Sequence, residues 1–188
     1  SDFLHRPIDV TKYGLFYACA QKNAGPAGVT VAVLRKDLVA RSAENLPGYL
    51  SYANHVKEDS LFNTPPTFAI YVMGLVFKWL KDEVGGLAAM HAQNKQKAQL
   101  LYDVVDQSGG FYQGHAQPAC RSLMNVTFRL PSSELDKKFI AQSEERGLDG
   151  LKGHRSVGGM RASIYNAMPV AGVERLAEFM QEFRTAHS

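Results

Sequence analysis

The sequence predicts an α/β protein in two parts, from three observations. Two short apolar runs flank a turn made of Gly25, Pro26 and Gly28. Two long spans of helical periodicity follow, separated by Gly85-Gly86. The remainder alternates strand-like and helix-like segments, the order of a small α+β domain.

Leu15 to Gln21 and Val29 to Leu34 read as strands, and runs this apolar are usually buried on both faces. A short helical turn is expected near Arg35, and the polar stretch Ala40 to Ser60 is the loosest segment. Pro65 and Pro66 suit the first turn of a helix, where a missing N–H goes unused, so a helix is expected from there to about Glu83. Its core, Phe68 to Phe77, reads as a buried helix and is too short to span a bilayer, which needs roughly 20 apolar residues.

A more polar helix is expected from Leu87 to Asp106, with Leu87, Met90, Leu101 and Val105 on its apolar face. Beyond it, Met124 to Leu130 reads as a strand. A helix starts at Ser133, where Ser133 and Asp136 suggest a capping box, and Gly147 suits its C-terminal cap. A last strand, Met160 to Tyr165, precedes a helix from about Val170 that carries Val173, Leu176, Met180 and Phe183 on one face. Two strands with covering helices would form a small sandwich.

The 188 residues are 45% hydrophobic and 21% charged, enough apolar material for one domain or one and a half. The net charge of +3 is scattered, with no run of five basic residues, so nucleic acid is not an indicated partner. Cys19 and Cys120 have neither metal-ligand nor disulfide-framework spacing, which fits a reducing cytoplasm and predicts no metal. No targeting signal opens the chain and no membrane partner is expected.

Two segments carry candidate chemistry. The first is Tyr17 to Gly28, YACAQKNAGPAG, which holds Lys22 between a strand and a glycine-rich turn. A lysine partly desolvated there has a lowered pKa, and its neutral amine can attack a carbonyl to form a Schiff base. The competing reading is a lysine whose ammonium reaches out to water. A phosphate cradle is disfavoured because the spacing G-x-x-x-x-G-K-[ST] is absent. The second segment, Gly153 to Ser163, places His154, Arg155 and Arg161 around a Gly158-Gly159 pair. Arginine's planar fork suits carboxylate or phosphate, whereas the competing reading is a solvated loop.

Four strings in order resemble the phosphoserine aminotransferase family: Gln21 to Gly28 (QKNAGPAG), Phe62 to Tyr71 (FNTPPTFAIY), Gly74 to Leu80 (GLVFKWL) and Lys152 to Ala167 (KGHRSVGGMRASIYNA). The resemblance implies a fold-type-I enzyme dependent on pyridoxal 5'-phosphate (PLP). Residues 1–84 would be the C-terminal part of the large cofactor-binding domain and residues 85–188 the small domain. It implies that Lys22 bears the cofactor and shuttles a proton, and that Gln21 contacts the cofactor phosphate. Asn63 and Thr64 would reach the phosphate of the partner's cofactor in a homodimer. Arg161 would clamp the substrate α-carboxylate, with His154 and Arg155 on its phosphate or distal carboxylate.

The implied reaction moves an amino group between glutamate and 3-phosphohydroxypyruvate, giving O-phospho-L-serine for serine biosynthesis, with a further role in pyridoxine biosynthesis. Cys19 departs from the family's glycine two residues before Gln21. The chain resembles only the family's C-terminal half. The phosphate-binding glycine loop, the ring-stacking aromatic residue and the aspartate for the pyridine nitrogen are therefore expected upstream of Ser1, and Asp2 matches a variable position. The alternatives are another fold-type-I aminotransferase, or a fragment that serves only as a packing module.

Overall fold

The computed structural model describes residues 2–187. The chain divides into two compact units, Ser1–Leu87 and Ala88–Ser188. In the first, β1 (Leu15–Cys19) and β2 (Thr30–Leu34) form an antiparallel pair, with Tyr17 opposite Ala32. They are followed by α1 (Lys36–Val39), α2 (Tyr52–Lys57) and α3 (Thr67–Asp82). The stretch read as loosest contains α2, begun by Ser51, whose hydroxyl accepts the Asn54 N–H.

Two burial expectations are corrected here. Neither β1 nor β2 has a buried residue, and Tyr17 is 71% exposed. Cys19 is exposed as well, with its Sγ 3.7 Å from Thr30 Oγ1. The helix α3 forms where the prolines place it, yet Phe68, Ile70, Tyr71, Leu75 and Phe77 are exposed and only Ala69 and Leu80 are buried. A two-stranded ribbon and a helix that is apolar on several sides need more covering layers than the described residues supply. The apolar runs specify that a surface seeks cover, not which segment provides it. No helix among the described residues is long and apolar enough to cross a membrane.

The second unit builds its own core. It contains most of α4 (Leu87–Asp106), then β3 (Gln113–Gly114), β4 (Asn125–Arg129), α5 (Ser133–Glu145), β5 (Met160–Ser163) and α6 (Val170–His187). The strands form an antiparallel sheet in the order β3-β4-β5, so the expected pair gains a third, two-residue strand. Val126 and Phe128 of β4 alternate with exposed or half-buried neighbours, as do Met160 and Ala162 of β5. One face therefore packs on α4, α5 and α6, and the other carries Thr127 and Arg161 away from the core. The face expected of α6, Val173, Leu176, Met180 and Phe183, is fully buried.

The ends of α5 refine the capping expectation by one residue. Ser132, not Ser133, is the N-cap, its hydroxyl accepting the Leu135 N–H. Asp136 instead accepts the N–H of Leu130 at the end of β4. At the other end Gly147 has φ +73°; its N–H donates to Glu144 O and that of Leu148 to Ser143 O, a Schellman closure that satisfies two terminal carbonyls.

Candidate active site

Lys22 sits on the connection between β1 and β2, and the backbone on both sides of it is held. Ala20 is buried and donates its N–H to Val29 O at 2.9 Å. Asn23 and Ala24 are also buried, with Asn23 Nδ2 donating to Asp2 O. Gly25, at φ +146°, passes so close to α3 that an added Cβ would lie 3.3 Å from Met73 Cα. The Gln21 and Lys22 side chains between these anchors are exposed. The described residues thus do not supply the desolvation expected of Lys22. Its strand ribbon lacks covering layers, and so does the turn.

Asn63 and Thr64 occupy an exposed segment just before α3, where Asn63 Nδ2 donates to Thr64 O at 3.1 Å.

In the second unit the basic segment forms a folded loop. Gly153 N–H donates to Gly159 O at 2.8 Å, and the N–H groups of Val157 and Gly158 both donate to His154 O. Arg129 pins the loop from β4, donating to Val157 O at 2.7 Å. The His154 Nδ1 lies 2.7 Å from Ser156 Oγ and 3.3 Å from Ser156 N, which holds the ring against the loop. Gly159 has φ +63° and passes over β4 so closely that a Cβ would stand 2.6 Å from Phe128 O. Gly159→Ala is therefore expected to cost about 1–3 kcal/mol, read as a lowered urea midpoint at unchanged slope; an unchanged midpoint would show that the loop relaxes freely.

His154 and Arg161 line one cavity of about 260 Å³, together with His115, Thr127, Gly153 and Val157. Arg161 lies opposite Thr127 in the sheet, on the face turned away from the core. Its Nε is buried and has no hydrogen-bond acceptor among the described residues. A buried guanidinium donor without an acceptor is costly unless an anion completes it, so the cavity suits a small carboxylate or phosphate. Arg155 is exposed and does not line this cavity. His115 and Thr127 carry no local signal in the sequence: the register of β5 on β4 sets Thr127 opposite Arg161, and the pairing of β3 on β4 brings in His115, the residue after β3.

A family model for class-V aminotransferases matches residues 1–176. The chain belongs to the class-V aminotransferase family. The phosphoserine aminotransferase of Rhodopirellula baltica is 62% identical over 188 residues, covering all of this chain and 50% of that protein. That of Geobacillus kaustophilus is 58% identical over 184 residues, 98% of this chain and 51% of the relative. Among solved structures, the phosphoserine aminotransferase of Bacillus circulans subsp. alkalophilus superposes with a TM-score of 0.97 at 54% identity, over 100% of this chain and 52% of that one.

A PLP-bound phosphoserine aminotransferase from Trichomonas vaginalis gives a TM-score of 0.89 at 44% identity, over 96% of this chain and 52% of that one. The class-V fold extends further: an alanine–glyoxylate aminotransferase from Nostoc shares it at a TM-score of 0.74 and 17% identity. The class-V chain described here spans about half the length of the curated relatives it matches.

Proposed function

We propose that this chain supplies the cofactor lysine and the substrate-anion groups of a PLP-dependent transaminase acting between glutamate and 3-phosphohydroxypyruvate. The observation that carries the reading is the 62% identity to a phosphoserine aminotransferase over the whole 188 residues. The product would be O-phospho-L-serine, placing the enzyme in serine biosynthesis; a pyridoxine-biosynthetic use of the same chemistry belongs to the same reading, as does a cytoplasmic location.

The side chains present suit the cofactor. Lys22 offers a primary amine for the aldehyde on a turn whose backbone is anchored at Ala20, Asn23 and Ala24. Gln21, Asn63 and Thr64 offer uncharged donors suited to a phosphate. When bound, PLP supplies the electron sink that makes the α-proton acidic. Lys22 would hold the cofactor covalently and, once displaced by the substrate amine, move the proton at the α-carbon as base and then acid. Arg161 would fix the α-carboxylate, and His154 with Arg155 the distal phosphate or carboxylate. Asn63 and Thr64 would serve the cofactor of a partner subunit, which makes a homodimer part of the proposal. In this reading residues 1–84 belong to the large domain and residues 85–188 form the small one.

Kinetics of the full-length protein test the assignment. Two charge-assisted hydrogen bonds to a phosphate, each contributing about 1.5 kcal/mol or more, favour the phosphorylated acceptor by about 100-fold or more in kcat/KM over hydroxypyruvate. Equal use of both acceptors would point to another fold-type-I aminotransferase, and no amino transfer to either, with PLP unbound, to a packing module.

A further inference from the structure

The most unusual group outside the candidate site is Lys97. Its side chain is 1% exposed in the middle of α4, on the same stripe as Met90, Ala98 and Leu101. A buried ammonium normally faces a carboxylate. Here the three N–H groups of Nζ are shared among four backbone carbonyls: Ile164 at 3.2 Å, Tyr165 at 2.8 Å, Asn166 at 3.4 Å and Met168 at 3.1 Å. All four belong to the single turn that joins β5 to α6. One helical turn away, Asn94 Nδ2 donates to Asn166 Oδ1 at 2.9 Å, a second tie to the same turn.

Four carbonyl oxygens converging on one point repel one another unless a cation sits among them, so the turn's shape depends on the ammonium. Desolvation lowers the Lys97 pKa to about 8, which still leaves the proton in place at neutral pH.

The turn is continuous with the strand that bears Arg161. Ile164 N–H donates to Met124 O and Arg161 N–H to Leu151 O, while Ser163 Oγ and Tyr165 Oη both donate to Asn125 Oδ1. The bonds from Ser163, Ile164 and Tyr165 hold the exit end of β5 beside the start of β4, and the bond to Leu151 ties down its entry end; together they set the height of the Arg161 guanidinium on the open face. We infer that Lys97 is a positioning residue: by gathering the carbonyls of the 164–168 turn it sets where Arg161 presents its fork to the substrate carboxylate. The inference rests on the role of Arg161 given under the proposed function, and it adds a cation outside the cavity that Arg161 lines, on which substrate affinity depends.

Chemical rescue in the full-length enzyme tests it. Lys97→Ala removes the ammonium and leaves space for a small amine. KM for the amino-acid substrate is expected to rise about tenfold with kcat within about threefold, because a misplaced clamp weakens binding of ground and transition states alike. Added n-propylammonium should restore KM, and n-propanol of similar shape should not. Rescue by the alcohol, or an unchanged KM, overturns the inference, since either would make Lys97 a space-filling group.

Should Lys97→Ala fail to fold, Lys97→Met keeps the packing without the charge, and a wild-type KM in that variant overturns the inference equally. Amide hydrogen exchange separates this idea from the enzymatic reading. Lys97→Met should raise exchange at Arg161, Ile164 and Met168 about 100-fold, with the α6 amides from Glu174 onward unchanged. If that pattern appears in a protein with no transaminase activity, the proposed function falls and the turn-ordering role of Lys97 stands. Uniformly raised exchange, or none, overturns the positioning role.

Discussion

In the full-length enzyme, Lys22→Ala is expected to lower kcat by about four orders of magnitude or more, roughly 5 kcal/mol of barrier, while thermal stability stays within about 1 kcal/mol of wild type. The two halves of that expectation come from different features. On the proposed function, activity is lost because no other side chain on the turn could both bond the cofactor and carry the α-proton; Gln21 and Asn23 are amides without a basic nitrogen. Stability is kept because the turn is held by its neighbours: Ala20 bonded to Val29, buried Asn23 and Ala24, and Gly25 against Met73. The Lys22 side chain itself is exposed, and alanine in its place opens no cavity in the core. Lys22→Arg should be equally inactive, since a guanidinium keeps the charge but cannot act as an amine nucleophile at neutral pH. Turnover of Lys22→Ala above a tenth of wild type would remove Lys22 from the chemistry.

What the sequence made legible follows from the range of each interaction. Helix α6 was readable because 3.6-residue periodicity is local, and all four residues of its expected face are buried. The start of α3 after Pro65-Pro66 and the closure of α5 at Gly147 were readable because backbone restrictions act within a few residues. The choice between Ser132 and Ser133 as the cap was not, because it depends on Asp136 turning back to Leu130.

Burial of β1, β2 and α3 failed for a related reason: apolar residues show that a surface seeks cover, but not which segment covers it. The buried Asn94 and Lys97 within α4 were also illegible, as their partners lie more than 60 residues away. The site shows the same division. Lys22 and the basic loop drew attention through local pattern, but their composition alone left water-facing readings open, and the roles assigned to them rest on family likeness. His115 and Thr127 carry no local signal, because they reach Arg161's cavity through strand register.

Phe139→Ala is expected to destabilise the second unit by about 4 kcal/mol, within the usual range of 3–5 kcal/mol for a buried phenylalanine. Phe139 is fully buried on α5, and four rings surround it, with centroids at 6.1 Å for Tyr112, 5.8 Å for Phe128, 4.9 Å for Phe179 and 5.0 Å for Phe183. Those neighbours belong to β4, to α6 and to the segment before β3, so the truncation opens a cavity where three elements meet. None can close it without moving the others, so the low end of the range does not apply. A domain of this size has only about 5–15 kcal/mol in total, so the loss is a large share.

The measurement is amide exchange at Val126 and Phe128 in the full-length protein, where protection should fall by about three decades. Phe139→Leu, which keeps most of the volume, should lose about one decade. A fall of less than one decade for the alanine variant would show that the aromatic cluster repacks. Because Met160 and Ala162 face this core while Arg161 faces away, KM of the molecules that remain folded should stay at the wild-type value. Damage to the core would thus erode stability and leave the site of each folded molecule intact, whereas damage at Lys97 would leave a folded protein whose proposed substrate binds poorly.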